Sequence, residues 1–235
     1  MRVYGYGMTY ATHRYLGTLL YPELRDRWDI ALDEESFLYG CVKPDVTTLF
    51  VRHPHFWNIS RRFAFKRIAR LCERTPKPAK AHRRFSEELA VALHYVADFF
   101  TAVHNLSPNP LRAHIEFERV LHEAFLSTVG HDAVAGYFNF RERLPGDTAR
   151  DVSRSLAQEL ARRHARYAPD RSRPERDLHA IIGASVLVAS AVMDAVTLSA
   201  GAINSGAASP RPGLPRETPQ DRALRASVPD IADFR

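Results

Sequence analysis

The chain has 235 residues, of which 45% are hydrophobic, and it carries a formal net charge of +6. Such a composition is enough for one large buried core and excludes a fully disordered chain, while two cysteines exclude a disulfide framework. The positive charge is regional, because ten Lys or Arg residues between Arg61 and Arg84 stand against a single acid, Glu73.

The first half of the chain is expected to be helical with several interruptions. Apolar spacing predicts helices over 10–20, 33–39 and 56–74. Pro22 is expected to end the first helix, and Gly40 and Pro44 the second. The segment 45–54 between the second and third helices is expected to be a loop.

The second half of the chain predicts longer helices. They are expected over 81–103, 111–127, 147–167 and from about Pro174 to Asn204. The sequence Ser-Pro-Asn-Pro at 107–110 marks a clear break, and 137–146 is a turn-rich connector. No segment shows the alternation of a strand, so we expect an all-α multi-helix bundle. The domain should span 1–204, and the Pro-, Ala- and Arg-rich stretch 205–235 is expected to be a disordered tail.

The run 178–203 is long enough to cross a bilayer, with only His179 and Asp194 as ionisable groups. Its many Ala, Ser and Gly residues favour a buried central helix over a membrane anchor. The N-terminus shows no apolar signal region, so we expect a cytoplasmic protein, with membrane association as the alternative.

Five residues within a stretch of 25 carry the strongest functional signal. They are His94, Asp98, His104, His114 and Glu118. Each outer pair has i, i+4 spacing, which places both side chains on one face of a helix. Asp98 and His104 are six positions apart, so we expect the helix to end or bend near Thr101. Imidazole and carboxylate are the usual ligands of catalytic zinc, and this pattern predicts a polynuclear metal site at one end of the central helices.

The ordered set resembles the zinc-dependent phospholipase C family, which shares its fold and trinuclear zinc centre with a group of single-strand nucleases. The matching pieces are His13, Gly-Cys-Val-Lys-Pro-Asp at 40–45, His55-Phe56, His-Tyr-Val-Ala-Asp at 94–98, His104, and His114 with Glu118. They span roughly half of the chain.

The resemblance implies which residues bind metal. A first zinc would be held by Asp45, His55, His94 and Asp98. A second would be held by His104, His114 and Glu118, and a third by His13 with Asp98 as the bridge. His53 is the rival of His55, which we prefer because a phenylalanine follows it. Secreted members of the family complete the third site with an N-terminal tryptophan, whereas twelve residues precede His13 here, so we expect two or three Zn²⁺ ions.

The predicted function is hydrolysis of a phosphodiester by metal-activated water, with Asp45 or Asp98 orienting or deprotonating that water. The alternatives are a nuclease or phosphodiesterase that uses the same centre, and a non-catalytic scaffold stabilised by metal. His and carboxylate ligands suit zinc but also admit iron or manganese. The expected partner is a phosphodiester substrate, such as a phospholipid. The basic stretch 61–84 could be a solvated face, contact an anionic membrane, or bind nucleic acid, which we consider less favoured.

Overall fold

The protein consists of helices and the loops that join them in the part that the computed structural model describes, which comprises residues 10–74, 80–107, 110–141 and 143–204. The predicted tail at 205–235 lies outside these residues. The helices are α1 (Tyr10–Arg27), α2 (Glu34–Val46), α3 (Leu49–Arg52), α4 (Trp57–Cys72), α5 (Lys80–Phe99), α6 (Leu111–Thr128), α7 (His131–Asn139), α8 (Ala149–Arg166) and α9 (Pro174–Asn204). The described residues contain no strand, which confirms the all-α prediction.

Helix α5 is the central element of the core. Its residues from Leu89 to Phe99 are buried on every side, and it packs against α2 and α4. Helix α1 packs on α2 and α7, and α4 also packs on α8. A helix that is surrounded in this way brings its own polar residues into the interior, where they need partners.

The contact between α2 and α5 depends on Gly40. A Cβ atom at this position would lie 2.4 Å from the backbone oxygen of Glu87 and 2.7 Å from the Cβ of Ala90. Only a residue without a side chain allows the two backbones to approach so closely. The approach sets the position of Asp45, which lies on the last turn of α2.

The predicted ends of the first two helices were wrong. Helix α1 continues through Pro22 to Arg27, and α2 continues through Gly40 and Pro44 to Val46. A proline inside a helix costs about 3 kcal/mol, yet the buried apolar residues on both sides of it outweigh that local preference. The expected loop 45–54 therefore starts on a helix and contains α3, and part of the predicted connector 137–146 belongs to α7.

The break after α5 was predicted near Thr101, and the structure confirms it. Helix α5 ends at Phe99, Thr101 is extended, and a single 3₁₀ turn covers Ala102–His104. The amide of Asn105 donates to the carbonyls of Phe99 and Thr101 at 3.0 and 2.9 Å. These bonds satisfy carbonyl groups that the helix end would otherwise leave without partners. The turn is thereby fixed in an orientation that carries His104 back toward α5.

Helix α9 is long and apolar enough to cross a membrane by length and composition, over Pro174–Ala200. In its most apolar window, 78% of the residues are buried inside the protein. The indole of Trp28 donates to Asp194 at 2.8 Å, and Arg163 donates to the carbonyl of Gly183 at 3.3 Å. The structure thus favours the predicted core helix over the membrane anchor.

Candidate metal centre

All eight predicted metal ligands are buried, and they come from six different parts of the fold. His13 lies on α1, Asp45 on α2, His55 between α3 and α4, His94 and Asp98 on α5, His104 on the 3₁₀ turn, and His114 and Glu118 on α6. Their ligand atoms form three groups within which all atoms lie no more than 4.8 Å apart, and His94 belongs to two of these groups. The helices therefore bring the predicted residues to one place.

Four of these residues have the spacing expected around one ion. His55 Nδ1 lies 2.9 Å from Asp98 Oδ2 and 3.7 Å from Asp45 Oδ1. His94 Nε2 lies 3.3 and 3.5 Å from the same two oxygens. Four ligands that are each 2.0–2.1 Å from a tetrahedral zinc stand roughly 3.3–3.4 Å apart. The set that the resemblance implied for the first zinc thus has suitable geometry.

Asp98 faces two sets of imidazoles with its two oxygens. Oδ2 faces His55 and His94, whereas Oδ1 lies 3.2 Å from His13 Nε2 and 3.5 Å from His104 Nε2. If two ions were bound, Asp98 would have one oxygen available to each. The ring of His13 also stacks on that of His94, with centroids 3.7 Å apart, and His13 forms a ligand group with Asp45 and His94. His13 is therefore close to the first set as well as to Asp98.

The remaining group lies on the other side of Asp98. It joins His104 to His114 and Glu118 on α6, and His114 Nε2 lies 2.6 Å from Glu118 Oε1. Burial, and then the negative charge of Asp98, raises the pKa of Glu118 to about 9. Burial lowers the pKa of His104 to about 3. In the absence of a cation, this pocket favours a protonated Glu118 and a neutral His104. A bound cation would therefore replace the proton on Glu118.

The tautomer of His94 is set by a backbone carbonyl. Its Nδ1 lies 2.8 Å from the oxygen of Cys41, and a carbonyl can only accept, so Nδ1 carries the proton. Burial holds the pKa of His94 well below its usual value, which keeps the ring neutral. The lone pair on Nε2 is consequently directed at Asp45 and Asp98, as in histidines that bind metal.

Ten buried nitrogen and oxygen atoms of the cluster make no hydrogen bond with any described residue. They belong to His13, Asp45, His55, His94, Asp98 and His104. A purely structural cluster of buried polar residues would satisfy such atoms, because leaving each one without a partner costs about 1–3 kcal/mol. Imidazole nitrogens and carboxylate oxygens are the ligands that zinc prefers, and this set fits one or more zinc ions.

His53 takes no part in this cluster, although its sequence position made it the rival of His55. Its ring stacks on Phe63 with centroids 3.8 Å apart, and its carbonyl accepts a hydrogen bond from Tyr95 at 3.0 Å. His55 is the histidine of this pair that lies among the candidate ligands.

Two neighbours of the centre were not expected from the sequence. Thr12 Oγ1, next to His13, lies 2.8 Å from His122 Nδ1 on α6. Burial lowers the pKa of His114, the charge of Asp98 opposes this, and the charge of Arg171 lowers the pKa further. Thr12 and His122, and likewise Arg171 and His114, are more than fifty positions apart, so their proximity depends on tertiary packing.

A cavity of about 420 Å³ opens over the cluster. His55 and His114 line it together with apolar residues. The candidate centre thus faces, through His55 and His114, a space large enough for a small organic group. This open space distinguishes the centre from a closed structural metal site.

An all-α fold with a buried cluster of His and carboxylate ligands beneath an open cavity defines a helical protein with a candidate zinc centre. The sequence profile of the family described as zinc dependent phospholipase C matches residues 12–170, a range that contains all eight candidate ligands. The chain belongs to this zinc-dependent phospholipase C family. Membership supports a zinc enzyme that hydrolyses phospholipids in general. No curated protein and no solved structure gives a significant match to the chain.

Proposed function

We propose that the protein is a zinc-dependent phosphodiesterase that hydrolyses the phosphate ester of a phospholipid headgroup. The observation that carries the proposal is the cluster of ten unsatisfied ligand atoms at the base of a cavity. Family membership supports both the metal and the substrate class.

Each proposed ligand has a place in this arrangement. Asp45, His55, His94 and Asp98 would hold the first ion, and His104, His114 and Glu118 the second. His13 would bind on the Oδ1 side of Asp98, where it lies 3.2 Å from that oxygen. Bound zinc supplies Lewis acidity, which lowers the pKa of a coordinated water toward about 7 and neutralises charge on a phosphoryl oxygen.

The two carboxylates proposed as catalytic differ in how closely imidazoles surround them. Both oxygens of Asp98 lie within 3.5 Å of histidine nitrogens, whereas in Asp45 it is Oδ1 that faces His55 and His94 at 3.7 and 3.5 Å. Asp45 is therefore the residue that we propose to orient the attacking water and accept its proton. Asp98 would hold the surrounding histidines in position, and its negative charge would be shared between the bound ions.

The test compares two neighbouring histidines. His55→Gln should lose zinc and lower kcat/KM by at least roughly a hundredfold, because it removes a ligand that lines the cavity. His53→Gln is the matched control and should retain zinc and activity, since His53 stacks on Phe63 instead. Zinc is measured by mass spectrometry of the purified protein. Hydrolysis is measured with a monomeric short-chain phosphatidylcholine, a generic phosphodiester and single-stranded DNA.

Three outcomes would contradict the proposal. A His94→Ala variant with full zinc and full activity would reject the ligand assignment. Faster hydrolysis of single-stranded DNA than of phospholipid would identify a nuclease instead. Full zinc content without hydrolysis of any of the three substrates would identify a metal-stabilised scaffold.

A further inference from the structure

The cavity over the candidate metal centre has an apolar and exposed mouth. Phe50, Val51, Pro54, Phe56 and Leu111 line it above His55 and His114. Val51 is 65% exposed, and Phe56 and Leu111 are also exposed. Exposed apolar residues that surround one opening mark a surface that another apolar body covers.

Two isoleucines extend this apolar mouth along the flanking helices. Ile59 is 59% exposed and lies one turn beyond Phe56, since its backbone amide donates to the Phe56 carbonyl at 3.0 Å. Ile115 is 47% exposed and follows Leu111 by four positions on α6, which places both on the same face. We call Val51, Phe56, Ile59, Leu111 and Ile115 the apolar rim.

The segment 46–72, which carries Val51, Phe56 and Ile59 of the apolar rim, contains cations and no acids, whereas α6 carries charges of both signs. Between Val46 and Cys72 there are six Lys or Arg residues and no Asp or Glu. Arg52 is exposed next to Val51 and Arg112 next to Leu111, whereas the exposed acid Glu116, which follows Ile115, pairs with Arg119. The far end of the basic stretch differs, because Arg74 and Arg84 both pair with Glu88. The side of the cavity mouth that residues 46–72 form is therefore positively charged.

We propose that the apolar rim and its flanking arginines dock on the surface of an anionic phospholipid bilayer. The proposal rests on the phospholipid substrate proposed above, because a lipid phosphate at such a surface has to reach the metal centre through this mouth. Apolar side chains enter the headgroup region while neighbouring cations contact anionic lipids, which is the pattern of peripheral membrane proteins.

Other occupants fit the same surface less well. A second copy of the chain docked through this face would bring like charges together, because the segment 46–72 of each copy contains six cations and no acid. Nucleic acid would use the arginines but leave the exposed aliphatic side chains of Val51, Ile59 and Ile115 in water. A bilayer uses both features at once.

The experiment measures sedimentation of the full-length, zinc-loaded protein with phosphatidylcholine vesicles that contain or lack phosphatidylglycerol. The double variant Ile59→Gln/Ile115→Gln should bind the anionic vesicles roughly tenfold less tightly, since glutamine keeps the helix but removes the apolar contact. It should hydrolyse monomeric short-chain phosphatidylcholine at the same rate. The matched control is Leu126→Gln, 51% exposed on the same helix and about 17 Å along it from Ile115, which should change neither quantity.

Several results would overturn the docking surface. One is vesicle binding that the double variant leaves unchanged, and another is equal binding to vesicles with and without phosphatidylglycerol. The others are a dimer of the unsubstituted chain that the double variant no longer forms, and tighter binding to an oligonucleotide than to vesicles. The failure of the proposed function looks different. Rim-dependent vesicle binding without hydrolysis of any phospholipid would reject the enzyme and leave the membrane-contact surface in place.

Discussion

Asp177 is a buried carboxylate outside the candidate centre that binds the turn carrying one of the candidate ligands. It lies on the first turn of α9, where it accepts a hydrogen bond from the backbone amide of Ala102 at 2.7 Å and another from the Tyr167 hydroxyl. Ala102 begins the 3₁₀ turn that carries His104. Asp177 is thus a positioning residue, because the bond to Ala102 fixes the turn that directs His104 toward Asp98.

Burial raises the pKa of Asp177 from 3.8 to about 6, and the titratable groups around it are Tyr167, Asp170 and Glu175. The folded state therefore binds the carboxyl proton of Asp177 more tightly than the unfolded chain does. This proton binding contributes on the order of 2–3 kcal/mol to the free energy of unfolding. The contribution is present below about pH 4 and is lost as the pH rises through 6.

A pair of substitutions separates the charge of Asp177 from its hydrogen bonds. Asp177→Asn should flatten the decrease in unfolding free energy between pH 4 and pH 7, because it cannot ionise. Asp177→Ala removes the acceptor as well, and should be less stable than Asp177→Asn by about 1–3 kcal/mol at every pH. Urea unfolding measures both effects, and zinc content should fall in the alanine variant alone. Equal stability and equal zinc in the two variants would show that the bond to Ala102 does not position His104.

At the scale of helices, the close contact between α2 and α5 controls where Asp45 lies. Gly40 allows this contact, because any side chain there would meet the backbone of Glu87. Since Asp45 is five residues beyond Gly40 on the same helix, a displacement of α2 moves this carboxylate relative to His94.

Gly40→Ala should therefore lower both stability and zinc content. We expect a loss of about 1–3 kcal/mol or more in unfolding free energy, because the clash is with backbone atoms that cannot turn aside. The control is Gly136→Ala on α7, where a Cβ would meet no atom within 4 Å. That variant should gain about 0.5–1 kcal/mol and retain its zinc. If the two variants were equally stable, the helices could separate without penalty.

The helices also explain which features the sequence could predict. The two i, i+4 pairs on α5 and α6 and the break at Thr101 follow from local spacing, and the structure has them. Pro22 predicts the end of a helix under a local rule, but that rule takes no account of the buried residues on both sides of it. The bond from Asp177 to Ala102 spans 75 positions, so it depends on tertiary packing alone.

At the scale of the whole molecule, the candidate centre joins six segments of the chain around Asp98. Without a cation, ten buried acid and imidazole atoms of this centre make no hydrogen bond that compensates for the loss of water. Bound metal should therefore contribute to folding, since the complete ligand set exists only in the folded state.

Removal of zinc should consequently lower the melting temperature of the whole domain. With free zinc at about 1,000 times Kd, one site adds about 4 kcal/mol, which corresponds to a shift of roughly 8–16 °C for a domain of this size. Calorimetry before and after treatment with a chelator measures the shift, and added zinc, but not magnesium, should restore it. The His55→Gln variant should show a smaller shift, because one ligand is already missing. An unchanged melting temperature would mean that these residues do not hold a metal in the folded protein.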